Sequence, residues 1–393
     1  YPITMIFMAI AIGSQIGCTI VVSQLFGAKR YRDLKSAVST AMISGLVLSA
    51  LLLVIGLLTS KGMMILVNTP ENIFADGALY LRIYIGGFIF LFLYNVATGI
   101  FNSLGDSKTP LYFLIASSVG NIFLDWLFVA VFHMGVAGVA WATFLAQGAA
   151  CVLSLLVLKK RVAEIRTEGK IPLFSFQDLK KIGAVAVPSI LQQSFISVGN
   201  MCVQGLINSY GSSVIAGYSA AIKLNTFTIT CFTTLGNSVS SFTAQNIGAG
   251  KTDRVKSGFR TGVLLAMGFA AAAFVLLFGF GGQCLNMFMN EESTQLARDT
   301  GVIFFKIVTP FYFLICIKLI SDGVLRGSGC MGQFMVSTFA DLLLRVLLAF
   351  VFSSFWGSVG IWISWPVGWT IGTGLSTAFY KKGSWKRQFG QSL

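Results

Sequence analysis

Eleven separate stretches of this chain are apolar over about twenty residues or more, and that alone leaves few folds open to it. They run 3–26, 36–58, 78–104, 110–132, 135–158, 181–209, 216–247, 257–289, 298–325, 332–355 and 358–380. A helix needs roughly 20 apolar residues to cross the hydrocarbon of a bilayer. Composition agrees, since 55% of the 393 residues are hydrophobic and only 11% are charged, against about 25% in a soluble domain. The expected fold is all-α, a polytopic membrane protein whose first partner is the lipid bilayer.

The formal charge of +14 would suit nucleic acid if it were gathered on one surface, but the basic residues lie between the spans. On one side fall Lys29, Arg30, Arg32 and Lys35, then Lys159, Lys160, Arg161, Arg166, Lys170, Lys180 and Lys181. Lys251, Arg254, Lys256, Arg260, Lys381, Lys382, Lys386 and Arg387 share that side. The opposite loops and helix ends offer only Lys61, Arg82, Lys223 and Arg298, beside acidic Glu71, Asp76, Glu291, Glu292 and Asp299. Basic loops stay inside, so the first side is expected to be cytoplasmic, with the C-terminus there and Tyr1 outside. No nucleic-acid partner is expected. The seven cysteines form no CxxC pair and His133 stands alone, so neither a metal site nor a disulfide frame is expected. Without a metal cluster or a nucleophile beside a base the chain is not expected to be an enzyme, and it calls for no cofactor.

An internal repeat divides the chain. Gln24, Gly27, Ala28 and Lys35 recur as Gln245, Gly248, Ala249 and Lys256; Gly99 through Gly105 recurs as Gly323 through Gly329; Gly135-Val-Ala-Gly138 recurs as Gly357-Ser-Val-Gly360. Three matches in one order make two homologous bundles: residues 1–158 with five spans, a polar cytoplasmic linker at 159–180, and residues 181–393 with six spans and a basic tail. Nothing before residue 3 matches the span 181–209, so the first bundle is expected to lack its first helix. Pro188, Pro310 and Pro366 fall within spans as candidate kinks. The span 216–247 holds so many Ser, Thr and Asn that it either borders water or bonds its hydroxyls to its own carbonyls.

One carboxylate stands out. Asp125 is the single formal charge in the span that starts at Pro110, about 22 Å from that end and about 10 Å from Phe132 at ~1.5 Å per residue. Asn121 is one turn earlier on the same face. A charge at such depth costs at least ~2.5–3.5 kcal/mol on insertion scales, so function is the default hypothesis.

The Gly-Ala-basic loop at Gly27, Leu104-Gly-Asp-Ser-Lys-Thr-Pro110, Asn121-Ile-Phe-Leu-Asp125, Gly135-Val-Ala-Gly-Val-Ala-Trp-Ala-Thr143, Leu325-Arg-Gly327 and Gly360-Ile-Trp-Ile-Ser-Trp-Pro366 together resemble the multidrug and toxic compound extrusion (MATE) transporters, in their DinF-like branch. The resemblance implies two six-helix lobes in a V around a central cavity, the first truncated here to five helices. It implies multidrug efflux by alternating access, exporting amphipathic, often cationic compounds in antiport with H⁺ or Na⁺ across the bacterial inner membrane, by a monomer. It places the cation-coupling residues at Asp125, Asn121, Thr143, Asn95 and Tyr80, with Asp125, Asn121 and Thr143 as the oxygen ligands if the ion is Na⁺. Under the repeat offset Asn121 falls on Arg345, Asp125 on Ala349 and Thr98 on Asp322. Asp341 is expected to neutralise Arg345, and Lys318, Asp322 and Arg326 share a helical face. These ion pairs of the second lobe are expected to be structural or substrate-contacting. The competing reading is a flippase for a lipid-linked saccharide, as in related two-lobed families. It would need several free basic residues to hold a diphosphate, and only Arg345, Lys318 and Lys306 are candidates.

Overall fold

A computed structural model describes residues 2–66, 71–289 and 294–386; Tyr1, Glu291, Glu292 and Arg387 lie outside them. The order is α1 (Pro2–Gly27), α2 (Tyr31–Leu66), α3 (Glu71–Ser103), α4 (Lys108–Asp125) with a π-helical continuation (Trp126–Val131), α5 (Gly135–Glu164) and α6 (Phe176–Asn208). Then follow α7 (Ser212–Gly248), α8 (Thr252–Phe274) with a π-helical end (Val275–Gly279), α9 (Gly281–Asn286), α10 (Gln295–Val308), a 3₁₀ turn (Thr309–Phe311), α11 (Tyr312–Gly327), α12 (Met331–Trp356) and α13 (Ser358–Lys382). Every apolar stretch of the sequence is helical. Among the described residues nine of these segments are long and apolar enough to cross a membrane. The polar-rich α7 and α13 are the other two. The chain forms two compact units, Tyr1–Gln193 and Ser194–Leu393, whose boundary falls inside α6.

The three repeated motifs become three repeated turns. Lys29 and Gly250 both take a left-handed backbone (φ 57° and 69°), as do Gly105 and Gly329 (82° and 81°) and Gly135 and Gly357 (56° and 59°). The hydrogen bonds match as well. Ala28 N–H donates to Gln24 and Arg30 N–H to Leu25, while Ala249 donates to Gln245 and Lys251 to Asn246. Such left-handed ends close a helix by satisfying its last carbonyls. Packing repeats too. A Cβ on Gly99 would lie 2.9 Å from the Gln15 carbonyl, and one on Gly323 would collide with the Gly236 carbonyl, at corresponding places on α1 and α7.

Within the first unit α5 is the middle layer, packed on α3 to one side and α4 to the other. The register of α4 on α5 is set by Ser117, whose hydroxyl donates to the Ala146 carbonyl at 3.2 Å, and by Gly138, which sits against Phe128. In the second unit α13 is buried among α10, α11 and α12, with Trp362, Trp365 and Trp369 in its core. Pro310 breaks its span into α10 and α11 through the 3₁₀ turn; Pro188 and Pro366 lie inside continuous helices.

Part of the hydroxyl set of α7 answers to its own helix, while Ser240 and Thr243 are buried without a partner among the described residues. Thr228, Thr230, Thr233, Thr234 and Ser238 each donate to the carbonyl four residues earlier. The cysteines among the described residues are free, with Cys18, Cys151 and Cys316 buried. His133 takes a left-handed conformation (φ 54°) in the exposed turn before α5, which gives it a conformational rather than a chemical part.

Candidate functional site

Asp125 ends the regular part of α4. Beyond it the helix widens, with Phe132 N–H reaching the Leu127 carbonyl five residues back. Widened turns of this kind recur at functional positions because they re-aim side chains. Asp125 and Asn121 are each half-buried, yet Asp125 Oδ1 and Asn121 Nδ2 are shielded from solvent and carry no hydrogen bond. An unpaired buried polar atom ordinarily costs ~1–3 kcal/mol. Here two stand one turn apart in a membrane-spanning helix.

Asp125, Tyr80 and Thr143 lie at one height, about 9–14 Å below the ends of their helices at ~1.5 Å per residue. They do not share one face of α5. Gly138, Ala142 and Ala146 form the row toward α4, as the Phe128 and Ser117 contacts show. Thr143 lies about 100° further round and lines a narrow cleft toward α3 with Tyr80, Tyr84, Gly87, Phe144 and Gln147, with ≈10 Å³ of free space. Its hydroxyl donates to the Val139 carbonyl at 3.0 Å. Equal depth therefore does not make Thr143 a neighbour of Asp125, because depth leaves the angle around α5 free. Asn95 is also elsewhere. Its amide donates to the Leu91 carbonyl at 2.7 Å, and the adjacent Tyr94 hydroxyl reaches the Pro110 carbonyl at 3.2 Å, at the far end of α4 from Asp125.

The structure thus sorts the five residues into a carboxylate and an amide one turn apart on α4, a cleft holding Tyr80 and Thr143, and Asn95 near the other end of α3. Sequence reasoning missed Tyr84 and Gln147. Both were signalled by spacing, each one turn after a residue already singled out. Tyr84 stacks on Tyr80 with centroids 6.5 Å apart and planes within 15°.

In the second unit the charges close on one another. Lys318 Nζ bonds Asp322 Oδ2 at 2.8 Å and lies 3.5 Å from Asp341 Oδ2. Asp322 Oδ1 accepts from Ser337 at 3.1 Å and Ser376 at 2.5 Å. Lys318, Asp322 and Asp341 are each 5% exposed or less. The expected Asp341–Arg345 pair is replaced by Asp341–Lys318, while the Arg345 guanidinium stacks on Trp365, 4.8 Å from the ring centre. The cause lies on α13. A Cβ on Gly372 would sit 2.6 Å from Lys318 Cε and 3.0 Å from Asp341 Cβ, so its absence makes the space in which the pair meets. Arg326 leaves the Lys318–Asp322 pair and donates to Asn237 Oδ1 on α7 at 2.5 Å. Among the described residues no cluster of His, Cys, Asp and Glu could hold a metal ion.

The MatE family profile matches residues 1–127 and 188–351. A probable multidrug resistance protein, YoeA of Bacillus subtilis, is 29% identical over 99% of this chain and 85% of its own length. A probable multidrug resistance protein, NorM of Thermotoga maritima, is 23% identical over 98% of this chain and 83% of its own. The structure of a MOP superfamily transporter from Pyrococcus furiosus superposes with a TM-score of 0.90 at 19% identity, over 98% of this chain and 87% of that one.

Proposed function

The chain belongs to the MatE family of membrane transporters, and we propose that within it this protein is a secondary active exporter of amphipathic, often cationic compounds, driven by cation antiport through Asp125. The observation that carries the reading is the unpaired, shielded oxygen of Asp125 beside the unpaired Asn121 amide nitrogen, on a carboxylate with no ion-pair partner among the described residues, whereas Asp341, whose Oδ1 is also unpaired, has Lys318 on its other oxygen. A carboxyl held there switches between a neutral, hydrogen-bond-donating form and a charge that lipid disfavours. That difference lets an ion gradient bias one conformation over another.

The proton suits this arrangement better than Na⁺. A sodium site needs several oxygens converging on one point, whereas Thr143 turns its hydroxyl to its own helix and faces α3. A proton needs the one carboxylate. Tyr80 and Tyr84, beside Thr143 and Gln147, offer ring faces to a cationic head, in a cleft whose ≈10 Å³ of free space must widen to admit a substrate. The same reading places the protein in the bacterial inner membrane as a monomer, with its C-terminus cytoplasmic on the positive-inside distribution.

A flippase for a lipid-linked diphosphate finds less support. Lys318 is engaged by two aspartates and Arg326 by Asn237, and Lys306 is exposed. That leaves Arg345 without fellow cations.

The test is substrate uptake into inside-out vesicles with ΔpH and ΔNa⁺ imposed separately. Wild type should accumulate substrate under ΔpH, Asp125→Asn should fall to background while remaining folded, and Thr143→Ala should keep its response to ΔpH. Wild-type accumulation by a folded Asp125→Asn protein would end the proposal.

A further inference from the structure

The segment between α5 and α6 takes no part in either site, yet it is fastened in place and turns apolar side chains outward. Leu173 is 77% exposed, Phe174 44% and Phe176 74%. Lys170 precedes them and Lys180 and Lys181 follow, with Glu168 the nearby exposed acid. Three hydroxyls on one face of α2 hold the segment. Ser39 Oγ donates to the Leu173 carbonyl at 2.6 Å, Thr40 Oγ1 accepts from Ser175 N–H at 2.9 Å, and Ser36 Oγ donates to Asp178 at 2.7 Å. Ser175 in turn accepts from Asp178 N–H at 3.2 Å, capping α6. The positions 36, 39 and 40 face one way because three and four residues make one turn.

This fastening fixes a height. The exposed apolar row of α2 begins at Ile43 and continues through Leu46 and Val47, which marks where lipid hydrocarbon starts. Ser39 lies one turn, about 6 Å, outside that edge. The headgroup layer extends roughly 5–7 Å beyond the hydrocarbon on each side. Leu173 is therefore held in the headgroup layer on the basic side of the membrane, with its apolar neighbours free of protein.

We propose that Leu173, Phe174 and Phe176 seat in the headgroup–acyl boundary of an anionic leaflet while Lys170, Lys180 and Lys181 contact lipid phosphates, so that this segment is a lipid-binding strap. Apolar side chains flanked by lysines at that depth are what an anionic interface binds, the first by burial and the second by charge. The inference needs only that the chain spans a bilayer, and it stands or falls apart from the transport reading.

Hydrogen exchange of the protein in nanodiscs tests it. Among the described residues the Leu173 and Phe174 amides have no hydrogen-bond partner, so their exchange reports on the lipid. In discs rich in phosphatidylglycerol these amides should exchange about tenfold more slowly than in pure phosphatidylcholine. Lys170→Gln/Lys180→Gln/Lys181→Gln should erase that difference, and Leu173→Ser/Phe174→Ser/Phe176→Ser should make exchange fast in both. The Ser175 amide, bonded to Thr40, reports whether the segment stays docked. Equal exchange of the wild type in the two lipids overturns the proposal whatever the variants do. Protection that survives the serine variant with Ser175 still protected overturns it too, and points to a protein surface as the occupant.

Discussion

The two units share a backbone plan and differ in where they leave charge. Their repeated turns agree closely in φ, the widest difference being that between Lys29 at 57° and Gly250 at 69°, and their close helix crossings fall at corresponding residues. At the place where the first unit has Asn121 and Asp125, however, the second has Arg345 and Ala349. Each unit has a buried carboxylate oxygen without a hydrogen bond, Asp125 Oδ1 and Asp341 Oδ1, but among the described residues Asp125 has no cation beside it. In the second, Lys318 joins Asp322 and Asp341, and two serines complete Asp322. Duplication preserved what the chain needs in order to turn and pack. The charged side chains differ between the two, and on the proposed reading that separates a unit suited to respond from one suited to hold its shape.

The sharpest way to break this contrast is Asp125→Asn, for which transport under ΔpH should drop to background. The transplant Ala349→Asp in that variant should not restore it, because the second unit has no amide equivalent to Asn121 there. Restoration in the vesicle assay would make the units interchangeable.

Next in size is the ion cluster. Lys318→Met strands two buried aspartates, and removing one partner of a buried pair costs ~3–5 kcal/mol. The melting temperature should fall steeply, while the triple variant Lys318→Met/Asp322→Asn/Asp341→Asn should recover most of the loss and keep ΔpH-driven uptake. Failure of uptake in a stable triple variant would move coupling into the second unit.

A smaller effect concerns Asp106, for which the repeat offers Cys330. Its carboxylate accepts from Thr109 N–H at 3.1 Å and Thr109 Oγ1 at 2.7 Å, with Arg161 at 3.4 Å. Burial pushes the Asp106 pKa upward, but the Thr109 bonds and the Arg161 charge outweigh it and hold the group below the ordinary carboxylate value. A depressed folded pKa stabilises above the unfolded value and loses that contribution as pH falls through the folded one. Asp106→Ala should therefore cost about 1 kcal/mol at neutral pH, as lost helix caps do. Thermal melts should show the gap to wild type closing below about pH 4.

The smallest concerns the first turn. Lys29 holds a left-handed conformation that glycine holds at the matching Gly250, at a cost for a side chain of roughly 1 kcal/mol. Lys29→Gly should raise the melting temperature slightly, whereas Gly250→Lys should lower it by a similar amount.

Much of this architecture could be read from the residues because it is local. Span lengths, the repeat and its glycines follow from the chain's own neighbours, and the helices run a few residues past the expected ends because the amphipathic turns at the interface remain helical. What escaped lay between helices. The i, i+4 rule pairs Asp341 with Arg345 as readily as Lys318 with Asp322, and only the gap left by Gly372 on another helix selects Lys318 for Asp341. Depth placed Thr143 level with Asp125, but the packing row Gly138, Ala142 and Ala146 turned it toward α3. The docking of residues 173–178 onto α2 needed three hydroxyls distant in sequence, which no local pattern announces.

The self-bonded hydroxyls of α7 bear on how the protein is made. A nascent helix leaves the ribosome and meets lipid before its later neighbours exist. Thr228, Thr230, Thr233, Thr234 and Ser238 already have acceptors one turn back, so these five do not have to wait. Asn225 and Asn237 are different, since they bond Tyr312 and Arg326, both on α11. Those five hydroxyls need nothing from another helix, whereas the two asparagines gain their partners only once α11 has been synthesised, so the order of translation becomes the order in which the polar groups of α7 are satisfied.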